Sequence, residues 1–355
     1  MKSEIKNTAG MFDLLKGLTM LTIVIVHTLQ EFESMGYGRT LNIMGVFIIA
    51  LFVVSGYGFR AKKLKKTFTQ QIQLIVIPYI ITSILTCIFH CICYVVVYGS
   101  KRAAVKETLK VFAGLALGLS DTVQVKGINL FSCGPMWYLW ALFWVWIIMT
   151  IVFDYVPEKW RLPVVITITV VGIALNFVTF NPWCIYRGML ASIFVYIGYY
   201  CKKKKLITTK WETKYKVLLW ASLVVAVMVF AFAGDNQLLL VVLFPLVIID
   251  PPVFVKIFLT LNNVFTGKIS NKIRAIGRYS LYFLCVHSFE YIAVPWYYIA
   301  ERVHSHLGVA ILCVARLVMD IIICFGVVKV VPVIKNKMES ASNGSESLKF
   351  KRQVG

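Results

Sequence analysis

The residues least at home in their surroundings stand in the first apolar stretch of the chain. Asp13, Lys16, His27 and Glu31 interrupt the run from Met11 to Phe32. An ionised group at mid-bilayer costs about 2.5–3.5 kcal/mol even on a lenient insertion scale, so such groups point to protein- or water-facing chemistry. Residues eleven apart on a helix lie about 20° apart around its axis, so Lys16 and His27 share a face, with Asp13 and Glu31 within about 60° of it. Together they form one polar stripe through the thickness of a membrane. His27, inside LTIVIVH, is the member suited to proton transfer, because imidazole titrates near neutral pH. Asp13, Lys16 and Glu31 equally suit anchoring at the two interfaces, where a lysine snorkels toward water.

A second constellation lies in IGRYSLYFLCVHSFEY, where Glu290 follows His287 at i+3 and Arg278 stands at the start. Further on, Arg316 and Asp320 have the i,i+4 spacing of an internal ion pair, and mutual neutralisation would account for both. His90, His304 and His306 carry less weight, since H-x-H alone does not make a metal site. The nine cysteines form no C-x-x-C pair and no cysteine–histidine cluster of zinc spacing, so no metal is expected. There is no G-x-S-x-G, no H-E-x-x-H and no P-loop. Ser55 is the one serine in a suggestive setting, and its SGYG run would give a helix a thin face for close packing.

Such residues need membrane spans to position them. The chain has 355 residues, 59% of them hydrophobic, and a mean hydropathy of +0.79; a water-soluble fold of that composition would expose large apolar patches. Apolar windows near 11–32, 40–59, 72–98, 135–153, 162–180, 184–201, 216–233, 237–255, 277–298 and 309–332 predict an all-α integral membrane protein with about ten transmembrane helices. Pro245, Pro251 and Pro252 are expected to kink or end the eighth. Segment 101–120 reads as an interfacial or re-entrant helix. Residues 1–337 form one membrane domain, and 338–355 a polar, disordered cytoplasmic tail. The polar residues ahead of the first spanning run argue against a cleavable signal.

The formal charge of +21 raises nucleic acid as a partner, but its distribution excludes that reading. The basic residues form short runs between spans, among them RAKKLKK and KKKK, as the positive-inside rule requires. With the N-terminus cytoplasmic, four of the five inner segments are strongly basic, which places both termini in the cytoplasm; loop 99–134 is a mildly basic outer exception.

Four motifs then fall in order. FDLLKGLTMLTIVIVH carries Asp13, Lys16, Gly17 and His27; LFVVSGYGF carries Phe52, Ser55, Gly56 and Tyr57. GPMWYLWALF contributes Trp137, Tyr138 and Leu139, and IGRYSLYFLCVHSFEY contributes Gly277, Ser280, Tyr282 and His287. Over nearly the whole chain they resemble acyltransferase family 3, membrane O-acyltransferases. Lysine stands at position 16 where arginine is commoner. Gln70, Gln71 and Gln73 precede Pro78 where the family usually has arginines, and Arg60, Lys62, Lys63, Lys65 and Lys66 lie near enough to supply the charge.

The resemblance implies transfer of an acyl group, acetyl first of all, from cytoplasmic acyl-CoA to a hydroxyl of an extracytoplasmic glycan or envelope molecule. The setting would be a cell membrane, the bacterial cytoplasmic membrane above all, with no tightly bound cofactor. On that reading His27, His287, Lys16 and Asp13 are catalytic. Lys16, Arg60, Lys62, Lys63 and Ser55 would hold the donor, and Trp137, Tyr138, Glu31, Glu290 and Arg316 the acceptor. Loop 99–134 would be an outer lid. Many members carry an extracytoplasmic hydrolase-like domain; this sequence shows none and is expected to act alone or with a separate partner. The same polar stripe also suits a proton-coupled carrier of a small polar solute.

Overall fold

The computed structural model describes residues 10–37, 40–177, 180–211, 217, 220, 221, 224 and 237–353. In chain order the helices are α1 (Asp13–Gln30), α2 (Thr40–Gly58), α3 (Leu64–Gln71), α4 (Ile77–Tyr98), α5 (Lys101–Leu117), α6 (Trp137–Tyr155), α7 (Glu158–Leu175) and α8 (Ile185–Lys203). They continue with α9 (Gln237–Val264), α10 (Lys268–Arg278), α11 (Ser280–Ala293), α12 (Trp296–Ala300) and α13 (His306–Gln353). A π-helical turn, Ile72–Val76, joins α3 to α4, and a short antiparallel hairpin pairs β1 (Val123–Val125) with β2 (Ile128–Leu130).

Among the described residues, five helical stretches are long and apolar enough to cross a membrane: Asp13–Gln30, Leu64–Tyr98, Gly134–Tyr155, Pro182–Lys203 and His306–Val331. Helix α4 shows why the bilayer is its solvent. Ile77, Ile80, Ile81, Ile84, Leu85, Ile88 and Ile92 are exposed, while Tyr79, Thr82, Thr86 and His90 are buried. This reverses the pattern of a helix in water and satisfies the rule that polar groups face protein when lipid surrounds it.

The helices approach one another through glycine. A Cβ on Gly56 would lie 2.0 Å from the Val195 carbonyl oxygen, and one on Gly198 2.0 Å from that of Val53. The SGYG segment thus supplies a thin face, as its sequence suggests, and α2 packs backbone-close on α8. Gly17 and Gly277 do the same for α1 against α10, where the added atoms would meet Ile273 O at 2.0 Å and Asp13 O at 1.8 Å. We expect Gly277→Ala to destabilise the protein by about 1–3 kcal/mol, since the contact is with backbone that cannot rotate away. Gly326→Ala, where nothing lies within 4 Å, should melt no lower than wild type. Thermal unfolding of the two purified variants checks the contrast.

Several expectations need correction. The span read over 277–298 is three pieces: Tyr279, with φ −103° and ψ 23°, separates α10 from α11, and Val294 at φ −92°, ψ 128° ends α11 before Pro295. Proline disfavours helical backbone in the residue before it, which accounts for the second break. Helix α9 runs unbroken from Gln237 to Val264 despite its three prolines. The helix expected within 101–120 is present as Lys101–Leu117, capped by the Ser100 hydroxyl on the Ala103 amide and packed along α4. The last helix runs from His306 to Gln353. The window 216–233 lies outside the described residues but for four positions.

Candidate functional site

Helix α1 runs from a basic end to a cavity, and the two ends hold different groups. At the basic end Asp13 is buried, with Lys16 Nζ 3.4 Å from its Oδ1 and Arg278 Nε 3.6 Å from its Oδ2. Phe12 packs on Tyr57, with ring centroids 5.2 Å apart, and Lys202 Nζ lies 6.0 Å from the Tyr57 ring. These contacts gather α1, the α2–α3 connection and the end of α8 on one rim. Arg60 and Lys63 are exposed there. Lys62 Nζ donates to Gln70 Oε1 at 2.7 Å.

His27 lies eleven residues further along α1 than Lys16, roughly 16 Å at 1.5 Å per residue. Asp13 and Lys16 therefore do not join it in one reaction centre. His27 meets α11 instead: its ring centroid is 5.6 Å from that of His287 and 4.9 Å from that of Tyr291. Its Nδ1 is 2.7 Å from Gln30 Oε1. With the amide oxygen accepting, Nδ1 carries the proton and Nε2 keeps the lone pair that a general base requires.

Behind this pair is a buried ionic network. His287 Nδ1 lies 3.0 Å from both Glu290 Oε1 and Asp320 Oδ2. Arg316 donates to Glu290 Oε1 from Nη2 at 2.8 Å and from Nε at 3.2 Å, and its guanidinium carbon sits 4.4 Å from the centre of the Trp296 ring. None of the four side chains exceeds 1% exposure. The i,i+4 ion pair expected between Arg316 and Asp320 is thus replaced by two pairs across helices. Glu290 and Arg316 are also not on the acceptor surface; they are too deeply buried to touch it and instead support His287. The cluster His287, Glu290 and Asp320 could ligate a cation by spacing alone, but Arg316 already fills the cationic place on Glu290.

His27 forms part of the wall of a cavity of about 650 Å³. Gln30 and Glu31 border it from α1, His90 and Tyr94 from α4, and Tyr291 from α11. Segment 99–134 supplies Glu107, Asp121, Phe131 and Ser132. The long segment thus contributes to the cavity wall. Trp137 lies in the wall, with Arg187 stacked 4.6 Å from its ring centre and bonded to Asp121 at 2.7 Å. His90 stacks on Tyr94 at 3.9 Å and bonds Thr108 at 2.8 Å, which ties the loop to α4. Tyr138 and Ser55 do not line this space; they lie beside one another between α2 and α6.

The sequence reading missed Gln30, Tyr291, Asp121, Arg187 and the part Asp320 plays. Gln30 and Tyr291 were within reach, being i+3 from His27 and i+4 from His287 on helices already identified. Asp121 and Arg187 are 66 positions apart and share no local signal.

A family model described as an acyltransferase domain matches residues 11–331, nearly the whole chain. No curated protein and no solved structure matches.

Proposed function

The chain belongs to acyltransferase family 3, and from that premise we propose that it moves an acyl group from cytoplasmic acyl-CoA to a hydroxyl of an extracytoplasmic glycan or envelope molecule. The observation that carries this reading is the placing of His27. It stands in the wall of a roomy cavity, lined by aromatic and acidic groups, at the far end of a helix whose other end lies in a basic rim.

The rim is the donor side. Lys16, Arg60, Lys62 and Lys63 meet the phosphates of the nucleotide, which neutralisation by lysine and arginine favours. Positive charge on the cytoplasmic side agrees with the orientation bias of membrane proteins, so the rim faces the cytoplasm and both termini lie there. The cavity then opens outward and admits the acceptor, with Trp137, Glu31 and the Arg187–Asp121 pair in contact with it.

The reaction balances on His27. Its Nε2 takes the proton of the acceptor hydroxyl as that oxygen bonds to the thioester carbonyl carbon. Collapse of the tetrahedral intermediate breaks the carbon–sulfur bond. The departing thiolate takes the proton from His27, giving an ester and free coenzyme A. His287, held at Nδ1 by two carboxylates, fixes the geometry behind His27.

Purified protein in nanodiscs, given acetyl-CoA and an envelope polysaccharide extract, should release free thiol at a rate that depends on the extract. Silence across a panel of acyl-CoAs from two to eight carbons, with the protein folded, overturns the proposal.

A further inference from the structure

His27 also borders a second space, on the side away from the cavity. It measures about 20 Å³ and is lined by Met20 and Ile23 of α1, Leu51 of α2, Tyr138 of α6 and Leu284 of α11, among others. His27, Ile48 and Trp137 belong to both spaces. Met20 and Ile23 precede His27 by seven and four residues, so the small space extends from the imidazole toward the basic rim. The large cavity extends from it in the opposite direction, past Gln30 and Glu31.

The two spaces differ in kind. The cavity presents carboxylates, an arginine and phenols. Apart from His27 and the ring edges of Trp137 and Tyr138, the walls of the small space are aliphatic. Apolar cavities stay dry and accept apolar guests, and about 10–15 Å³ of such volume holds one water-sized group. A space of 20 Å³ therefore takes one methyl and no chain. Its walls do not yield easily: Met20, Ile23, Leu51 and Leu284 are all at least 94% buried, from three different helices.

We propose that this space is the acyl-chain site, that it seats the methyl of an acetyl group, and that Met20, Ile23 and Leu51 set the chain length the enzyme accepts. The inference rests on the acyl-CoA reading of the preceding section. The thioester carbonyl would lie beside His27 with its methyl directed into the small space, and the acceptor hydroxyl would reach it from the large one. The new carbon–oxygen bond forms and the carbon–sulfur bond breaks, the hydroxyl proton passing through His27 to the thiolate. The carbon–methyl bond takes no part and remains in the pocket throughout. Met20, Ile23 and Leu51 are specificity-determining residues; they touch the chain and not the reacting atoms.

The test measures kcat/KM for acetyl-, propionyl-, butyryl- and hexanoyl-CoA in nanodiscs at a fixed amount of envelope extract. A pocket discriminates a single methylene by about 10–200-fold. Wild type should therefore prefer acetyl over butyryl by at least about a hundredfold. Leu51→Ala and Met20→Ala should each raise the butyryl-to-acetyl ratio about tenfold or more. Ile23→Val, a milder change that leaves the fold less disturbed, should move preference toward propionyl. Wild type using butyryl-CoA as readily as acetyl-CoA overturns the assignment, as do folded variants that all keep the wild-type ratio. Release of coenzyme A with no length preference sinks the pocket alone, whereas no extract-dependent release from any donor sinks the acyl-CoA reading beneath it.

Discussion

His27→Ala should lower acyl transfer by at least about a hundredfold while leaving the protein assembled, because general-base help is typically worth 10²–10⁴ in rate. The fold is expected to tolerate the change. The ring borders the cavity, and among the described residues its one hydrogen bond is to Gln30 on the same helix. Neither of the two rings beside it can take over its task as it stands. His287 is 5.6 Å away between ring centres, is sealed from the cavity, and has Nδ1 committed to Glu290 and Asp320. Tyr291, at 4.9 Å, offers a phenol, a far weaker base at neutral pH. Free thiol release by purified variant and wild type, matched by their melting behaviour, reads the effect directly. Near-wild-type turnover in a well-folded His27→Ala protein removes His27 from the reaction.

That assignment was within reach of the sequence, and the reason it was also marks where sequence reasoning stops. Helical geometry fixes direction around an axis well, so the stripe on α1 and the i+3 neighbour of His287 followed from spacing alone. Distance along the axis then separates what a shared face suggests is together. Asp13 and Lys16 share the face of His27 but sit roughly 16 Å from it, a separation that 1.5 Å per residue already implies. What no spacing contains is which helix stands opposite. Arg316 and Asp320 look like partners within one helix, yet α11 stands close enough for Glu290 to take the first and His287 the second. The cavity wall shows the same limit: loop 99–134 stood out by length, while the Arg187–Asp121 pair in that wall joins residues far apart in the chain. The break before Pro295 was written in the sequence, but an unbroken apolar window hid it.

The network behind His287 should be the most costly place in the protein to remove a charge. Arg316 has 0% side-chain exposure and two nitrogens on one oxygen of Glu290. Its loss strands buried carboxylates in a region water does not reach, and breaking a buried pair from one side costs about 3–5 kcal/mol. Arg316→Met, which keeps most of the volume and the contact with Trp296, should therefore lower stability by that amount. Arg316→Lys should recover only part, since an ammonium is a point charge and cannot repeat the two-nitrogen geometry. Adding Glu290→Leu to Arg316→Met should restore much of the loss, because a buried pair replaced whole by apolar groups is often neutral. Unfolding of the three variants in a common detergent measures this, and an Arg316→Met protein as stable as wild type would refute the network as drawn. The double variant separates the network's two duties. If Glu290 and Arg316 served stability alone, recovering the fold would recover transfer; with one of the two carboxylates on His287 Nδ1 gone, we expect the stabilised double variant to remain slow.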